Sequence, residues 1–148
     1  MPKLLEITLY LFIFMGGAAI GSFLLVVVKR SEVGRDWVKE PSCCETCGRR
    51  LTFFDLIPFF SYAALGGRCH TCKTAIGAEH FLCEAWLGMA FAVSFRLFWQ
   101  NFAVMAGAMA VHAVLTALCA KALLREKQIE LFSFMYLAAV MAMLTFAL

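Results

Sequence analysis

Leu4-Leu-Glu-Ile-Thr-Leu-Tyr-Leu-Phe-Ile-Phe-Met-Gly-Gly-Ala-Ala-Ile-Gly-Ser-Phe-Leu-Leu-Val-Val-Val28 decides the class of fold. A helix needs roughly 20 predominantly apolar residues to cross the hydrocarbon core of a bilayer, and this run meets that length. It reads as a retained span. Only Lys3 is charged ahead of it, Glu6 falls within it, and it exceeds the roughly 7–15-residue apolar core of a cleaved signal peptide. Working outward, three further runs have the same character: about Phe81 to Trp99, about Phe102 to Leu124, and Leu131 to Leu148. In a chain of 148 residues that is 63% hydrophobic and 16% charged, a soluble domain is excluded as the starting assumption. A lone helix satisfies its own backbone hydrogen bonds in lipid. The expected fold class is therefore an all-α integral membrane protein with about four transmembrane helices and an extramembrane insertion between the first two. The expected divisions are residues 1–28 for the first helix, 29–80 for the insertion and 81–148 for three further helices.

Lysine and arginine gather in cytoplasmic loops near span ends. The insertion holds Lys29, Arg30, Arg35, Lys39, Arg49, Arg50, Arg68 and Lys73, and Lys121, Arg125 and Lys127 follow the third run. Four spans put both basic segments on one side. The insertion is expected in the cytoplasm, both termini outside, and Gln100 and Asn101 in a short outer turn. The formal charge of +3 is then a matter of orientation and headgroup contact. No nucleic-acid partner is expected, and the lipid bilayer is the first one.

The chemistry is concentrated in the insertion. Of seven cysteines, four form two Cys-x-x-Cys pairs, Cys44-Glu-Thr-Cys47 and Cys69-His-Thr-Cys72. Two intervening residues let both thiolates of a pair reach one ion, and two pairs complete a tetrahedron of sulfurs, which suits zinc. The pairs also admit two disulfides or four idle thiols, and the reducing cytoplasm argues against the disulfides. Four thiolates leave no open coordination position, so a structural site is expected. Cys43 and His70 stand beside the pairs, as substitute ligands or bystanders. Cys83 and Cys119, inside spans, read as small apolar fillers.

Between the pairs lies Leu51-Thr-Phe-Phe-Asp-Leu-Ile-Pro-Phe-Phe-Ser-Tyr-Ala-Ala-Leu65, apolar but too short to span and interrupted by Pro58. The aromatic stretch 53–62 is either an interfacial or re-entrant segment or the small core of the metal module. Glu84 and Arg96 read as side chains reaching the two membrane surfaces, or as functional groups. His112, deeper in the third run, partners Glu84 or a backbone carbonyl, or is a buried neutral histidine. Gly16-Gly17 and Gly21-Ser22 read as a close helix-packing face. No internal repeat is visible.

In order, these features resemble the N-terminal half of the bacterial type IV prepilin peptidases, bifunctional enzymes that cleave the leader of a pilin precursor and methylate its new N-terminus. Gly21-Ser-Phe-Leu-Leu-Val-Val-Val-Lys29-Arg30 matches the end of that family's first span, and Ser42-Cys-Cys-Glu-Thr-Cys47 its first cysteine pair. Asp55-Leu-Ile-Pro-Phe-Phe-Ser-Tyr62 matches its Asp-Asn-Ile-Pro run, Gly67-Arg-Cys-His-Thr-Cys72 its second pair, and Leu82-Cys-Glu84 its Leu-Val-Glu. The resemblance implies Zn(2+) on Cys44, Cys47, Cys69 and Cys72. It also implies S-adenosylmethionine as a methyl donor, a prepilin or pseudopilin as partner, and Asp55 and Glu84 as candidate catalytic residues.

The departures shape the expected function. The family cleaves with two aspartates, because one carboxylate activates water while the other donates a proton. This chain has only Asp36 and Asp55, both in the insertion. Where the first catalytic aspartate is expected it reads Cys119-Ala-Lys-Ala-Leu-Leu-Arg-Glu-Lys-Gln-Ile-Glu130, and Gly-x-Gly-Asp is absent. Leu25 and Leu56 replace two of the family's asparagines. Peptidase activity by this chain alone is not expected. The expected role is prepilin processing by N-methylation or substrate presentation. The alternatives are a non-enzymatic membrane scaffold, or one half of a split enzyme whose peptidase subunit is separate.

Overall fold

The computed structural model describes residues 3–58 and 60–126. Within them the protein is all-α: α1 (Lys3–Glu32), a 3-10 turn (Phe53–Leu56), α2 (Phe60–Ala64), α3 (Ala78–Phe98) and α4 (Phe102–Glu126). Three helices are long and apolar enough to cross a membrane, over Lys3–Glu32, Ala78–Phe98 and Phe102–Ala122. The fourth expected span, Leu131 to Leu148, lies outside the described residues.

α1 runs one turn past Val28, with Lys29 and Arg30 in its last turn, where cations meet the negative end of the helix dipole. It stops at Gly34, whose φ of 68° is open to glycine without Cβ strain. The Gly34 N–H donates to Ser31 and the Arg35 N–H to Arg30, which is a Schellman closure of the orphan carbonyls. The chain after it is folded back by Arg30. Its guanidinium donates to the carbonyls of Asp36, Trp37, Glu40 and Pro41 at 3.4, 3.5, 2.5 and 3.3 Å.

α1 and α3 pack at backbone distance. A Cβ on Gly17 would lie 2.5 Å from the Leu87 carbonyl oxygen, one on Gly21 2.6 Å from that of Cys83, and one on Gly88 2.8 Å from that of Phe14. Gly16 has nothing within 4 Å, so the close face uses Gly17 and Gly21 alone. On α3 the buried residues include Cys83, Glu84, Leu87, Gly88 and Ser94, the three-and-four spacing of one helical stripe. Leu25, Cys83 and Ala120 join α1, α3 and α4 in a small apolar core.

A turn at Gln100 and Asn101 returns the chain, and the Asn101 side chain accepts the Val104 N–H at 3.2 Å, capping α4. Lys29 pairs with Glu79 at 2.8 Å and Lys121 with Glu32 at 3.9 Å. These pairs place the end of α1, the start of α3 and the end of α4 on one side of the bundle. The insertion hangs from that side. Trp37 meets Phe23 of α1 edge-on at 5.8 Å, and Tyr62 stacks on Phe81 of α3 at 5.0 Å.

Candidate metal centre

Each cysteine pair folds as the same small hairpin. In the first, the Cys44 N–H donates to Arg49 and the Gly48 N–H to Cys44. In the second, the Cys69 N–H donates to Thr74 and the Lys73 N–H to Cys69. Antiparallel bridges close them, Cys43 with Arg50 and Arg68 with Ala75. Both copies turn through a left-handed residue at the same place, Gly48 at φ 70° and Lys73 at φ 59°. The structure thus holds a repeat that the sequence reading did not register. Its one visible trace is the shared Cys-x-Thr-Cys, because hairpin hydrogen bonds constrain backbone rather than side chains.

Facing each other, the hairpins bring four sulfurs together, those of Cys44, Cys47, Cys69 and Cys72, all within 4.8 Å of one another. Cys44 Sγ lies 3.8 Å from Cys72 Sγ, and Cys47 Sγ 4.0 Å from Cys69 Sγ. Four sulfurs each about 2.3 Å from a central ion form a tetrahedron with edges of about 3.8 Å. The donor set therefore fits a metal of that kind. Cys43 is exposed, and neither it nor His70 belongs to the sulfur cluster.

The surroundings divide the four thiols: against the lowering effect of the Arg49 N–H, burial and the sulfurs of Cys44, Cys72 and Cys69 push the Cys47 thiol up to about 11, while two others are drawn toward the thiolate. Backbone N–H groups of Cys72 and Thr71 draw the Cys69 thiol down to about 6, and the Thr74 hydroxyl, 3.3 Å from Cys72 Sγ, lowers that thiol too. Arg49 is held in its charged form by Asp55 first, and also by a hydrogen bond with Cys69. It sets a positive charge beside sulfurs that carry a net negative one when they hold a divalent ion. Outer partners of this kind orient ligands and tune the site.

Asp55 completes this arrangement. One carboxylate oxygen accepts Arg49 Nη2 at 2.9 Å, and the other accepts the Thr52 N–H and hydroxyl, both at 2.8 Å. The carboxylate thereby ties the first hairpin to the 3-10 turn, and Arg49 with Thr52 hold its pKa down to about 2. A carboxyl group with a lowered folded pKa stabilises the fold above its ordinary unfolded value, and that stability is lost as pH falls toward the folded one. Asp55→Asn is accordingly expected to cost roughly 1.5–3 kcal/mol at neutral pH, the range for hydrogen bonds to charged groups. Its deficit relative to wild type should vanish between about pH 4 and 2. Melting curves at matched pH check this, and an equal deficit at both ends contradicts it.

Glu84, the other candidate, is on α3 and buried at 8% exposure. It occupies the stripe that α3 turns to the bundle. Arg96 is exposed near the far end of the same helix. His112 and Thr116 of α4 are also buried, and the Thr116 hydroxyl donates to the His112 carbonyl at 2.7 Å. Phe53 and Phe54 are each 77% exposed, so neither fills a core inside the metal module. Sequence reasoning missed Arg30 as a loop clamp and the tie from Arg49 to Asp55, since charge type alone names no partner.

Comparison with known proteins places this geometry. A family model of the bacterial peptidase A24 N-terminal domain matches residues 15–98, the stretch from mid-α1 through the sulfur cluster to the end of α3. A prepilin leader peptidase/N-methyltransferase of Myxococcus xanthus is 36% identical over 87 residues, covering 59% of this chain and 26% of that protein. Proteins of the same description from Burkholderia pseudomallei and Pseudomonas aeruginosa are 33% identical over 129 residues and 34% over 116. They cover 70% and 63% of this chain, and 41% and 39% of their own lengths. The chain thus spans about a quarter to two-fifths of these relatives. No solved structure matches it.

Proposed function

We propose that this chain, which belongs to the bacterial peptidase A24 N-terminal domain family, acts in processing type IV pilin or pseudopilin precursors as a membrane-held zinc module. The observation that carries the reading is the coincidence of the family match, residues 15–98, with the unit formed by α1, the four converging sulfurs and α3. Zinc on Cys44, Cys47, Cys69 and Cys72 would supply folding energy rather than chemistry, since four thiolates close the coordination shell. The chain's own residues then fix the insertion against the bundle: Arg49 and Asp55 lock the first hairpin, and Tyr62 and Phe81 hold α2 to α3.

In this reading the module supports N-methylation of a processed pilin, or presents the precursor to an aspartate-bearing peptidase outside these 148 residues. Asp36 and Asp55 do not form the cleaving pair. Asp36 accepts the Val38 and Lys39 N–H groups, and Asp55 is committed to Arg49 and Thr52. The insertion is cytoplasmic and the N-terminus outside.

The test is incubation of the purified protein with a cleaved pilin and labelled S-adenosylmethionine, which enters only as the donor in that assay. Methyl transfer, or pilin binding without it, supports processing, and the absence of both defeats it. One observation favours the scaffold reading instead. Leu25, where the resembling enzymes carry asparagine, is buried against Cys83 and Ala120 as a plain packing residue. If Glu84→Gln and Asp55→Asn each abolish a measured methyl transfer while zinc content stays constant, the scaffold reading fails.

A further inference from the structure

We infer that the aromatic turn Phe53–Leu56 and the Trp37–Val38 segment are seated in lipid beside α1, so that the metal module lies against the bilayer surface instead of standing off it. The side chains concerned are apolar and uncovered: Phe53 and Phe54 77% exposed, Val38 70%, Leu56 49% and Trp37 45%. A contiguous patch of that kind facing water costs on the order of 25 cal/mol per Å², and such patches mark contact surfaces.

Depth comes from what these residues share. Trp37, Phe53 and Leu56 line one cavity of about 580 Å³ with Ala19 and Phe23 of α1, and Arg30, Glu40 and Ser42 also border it. Lys29 and Arg30 mark the headgroup level on that helix. At 1.5 Å per residue, Phe23 to Ala19 lie roughly 9–15 Å deeper. The turn therefore hangs alongside the part of α1 that lipid surrounds. The cavity shares Phe23 with the uncovered apolar side of α1, where Phe12 and Ile20 are also exposed. Acyl chains are its occupant.

The turn is equipped for a medium of low dielectric. Part of its backbone is internally bonded, Asp55 and Leu56 N–H to Thr52 and the Thr52 N–H to Asp55, and its one carboxylate is neutralised by Arg49. Backbone groups left open there would cost several kcal/mol each. Lys39 and Arg35, with side chains 86% and 59% exposed, lie beside the Trp37 segment in the chain and suit anionic headgroups.

The test uses the intact protein in vesicles of phosphatidylcholine and phosphatidylglycerol containing a phospholipid with a diazirine in its acyl chain. After irradiation, labelled peptides are mapped by mass spectrometry. Label is expected on the peptide holding Phe53, Phe54 and Leu56 and on that holding Trp37 and Val38, with none on the hairpin from His70 to Lys73. Label confined to α1, α3 and α4, or equal on hairpin and turn, overturns the inference. A second measurement places Phe53→Trp, and separately Thr46→Trp, in a background of Trp37→Phe, Trp86→Phe and Trp99→Phe, with zinc content confirming the fold. Brominated phospholipids should quench Phe53→Trp several-fold more than Thr46→Trp. A face kept for a protein partner would instead leave the Phe53→Trp probe open to aqueous acrylamide and untouched by bromolipid, which also overturns it.

Discussion

Cys72→Ser is expected to strip the metal from the protein and unfold the insertion while α1 and α3 stay helical. Apparent binding energies for structural zinc in small peptides run to about 10–16 kcal/mol, larger than any other interaction available to this segment. The Arg49–Asp55 pair, with side chains 26% and 12% exposed, contributes a few kcal/mol at most, and the Arg35–Glu40 pair is more exposed still and worth about 0–1. Between the end of α1 and the start of α3, only Gly67 and Cys69 are buried among the described residues, so no apolar core stands in for the ion. Cys72 is the sharper choice over Cys44, because Cys43 adjoins Cys44 and is exposed, free to offer a replacement sulfur. Elemental analysis of purified protein and limited proteolysis of the insertion read the outcome. Full zinc content in both Cys44→Ser and Cys72→Ser counts decisively against the site, while Cys83→Ser and Cys119→Ser should keep their metal.

What the amino-acid order discloses here follows from how directly each constraint acts on side-chain type. Spans are legible because lipid demands long apolar runs, and the four-sulfur cluster because thiols at short spacing are what a soft ion would demand. The paired hairpins were not, because their common feature is a hydrogen-bond pattern in which Glu45 and His70, or Gly48 and Lys73, occupy equivalent places. Glu84 left two readings open for a related reason. Its chemistry suggests escape to the surface, and only the register of α3 against Gly17 and Gly21 reveals that it faces inward. Phe53 and Phe54 left two readings open in sequence, since aromatic residues serve a core and an interface equally. Their exposure removes them from the module's core, a choice no composition could make.

Gly21→Leu should separate α1 from α3. In lipid there is no hydrophobic drive between helices, so association rests on close dispersion contact, which falls away steeply with a gap of even 0.5–1 Å. A Cβ at Gly21 would lie 2.6 Å from the Cys83 carbonyl oxygen and 3.1 Å from its carbon, and one at Gly17 2.5 Å from the Leu87 oxygen. These obstacles are backbone and cannot swing aside, so the helices themselves must part. Overpacking of this sort costs typically 1–3 kcal/mol and occasionally more. The Lys29–Glu79 pair, with side chains 25% and 49% exposed, is worth about 0–1 kcal/mol and cannot hold the ends together against it. Parting the helices also pulls apart the two anchors of the insertion, Phe23 with Trp37 and Tyr62 with Phe81, so protease sensitivity of the insertion should rise along with the loss in thermal stability. Gly16→Leu, one residue from the contact face and with nothing within 4 Å of its Cβ, should melt as wild type does. If Gly21→Leu melts unchanged in detergent, or Gly16→Leu proves equally harmful, then glycine backbone contact is not what joins these helices, and the side chains of Leu87 and Phe91 must be carrying the interface instead.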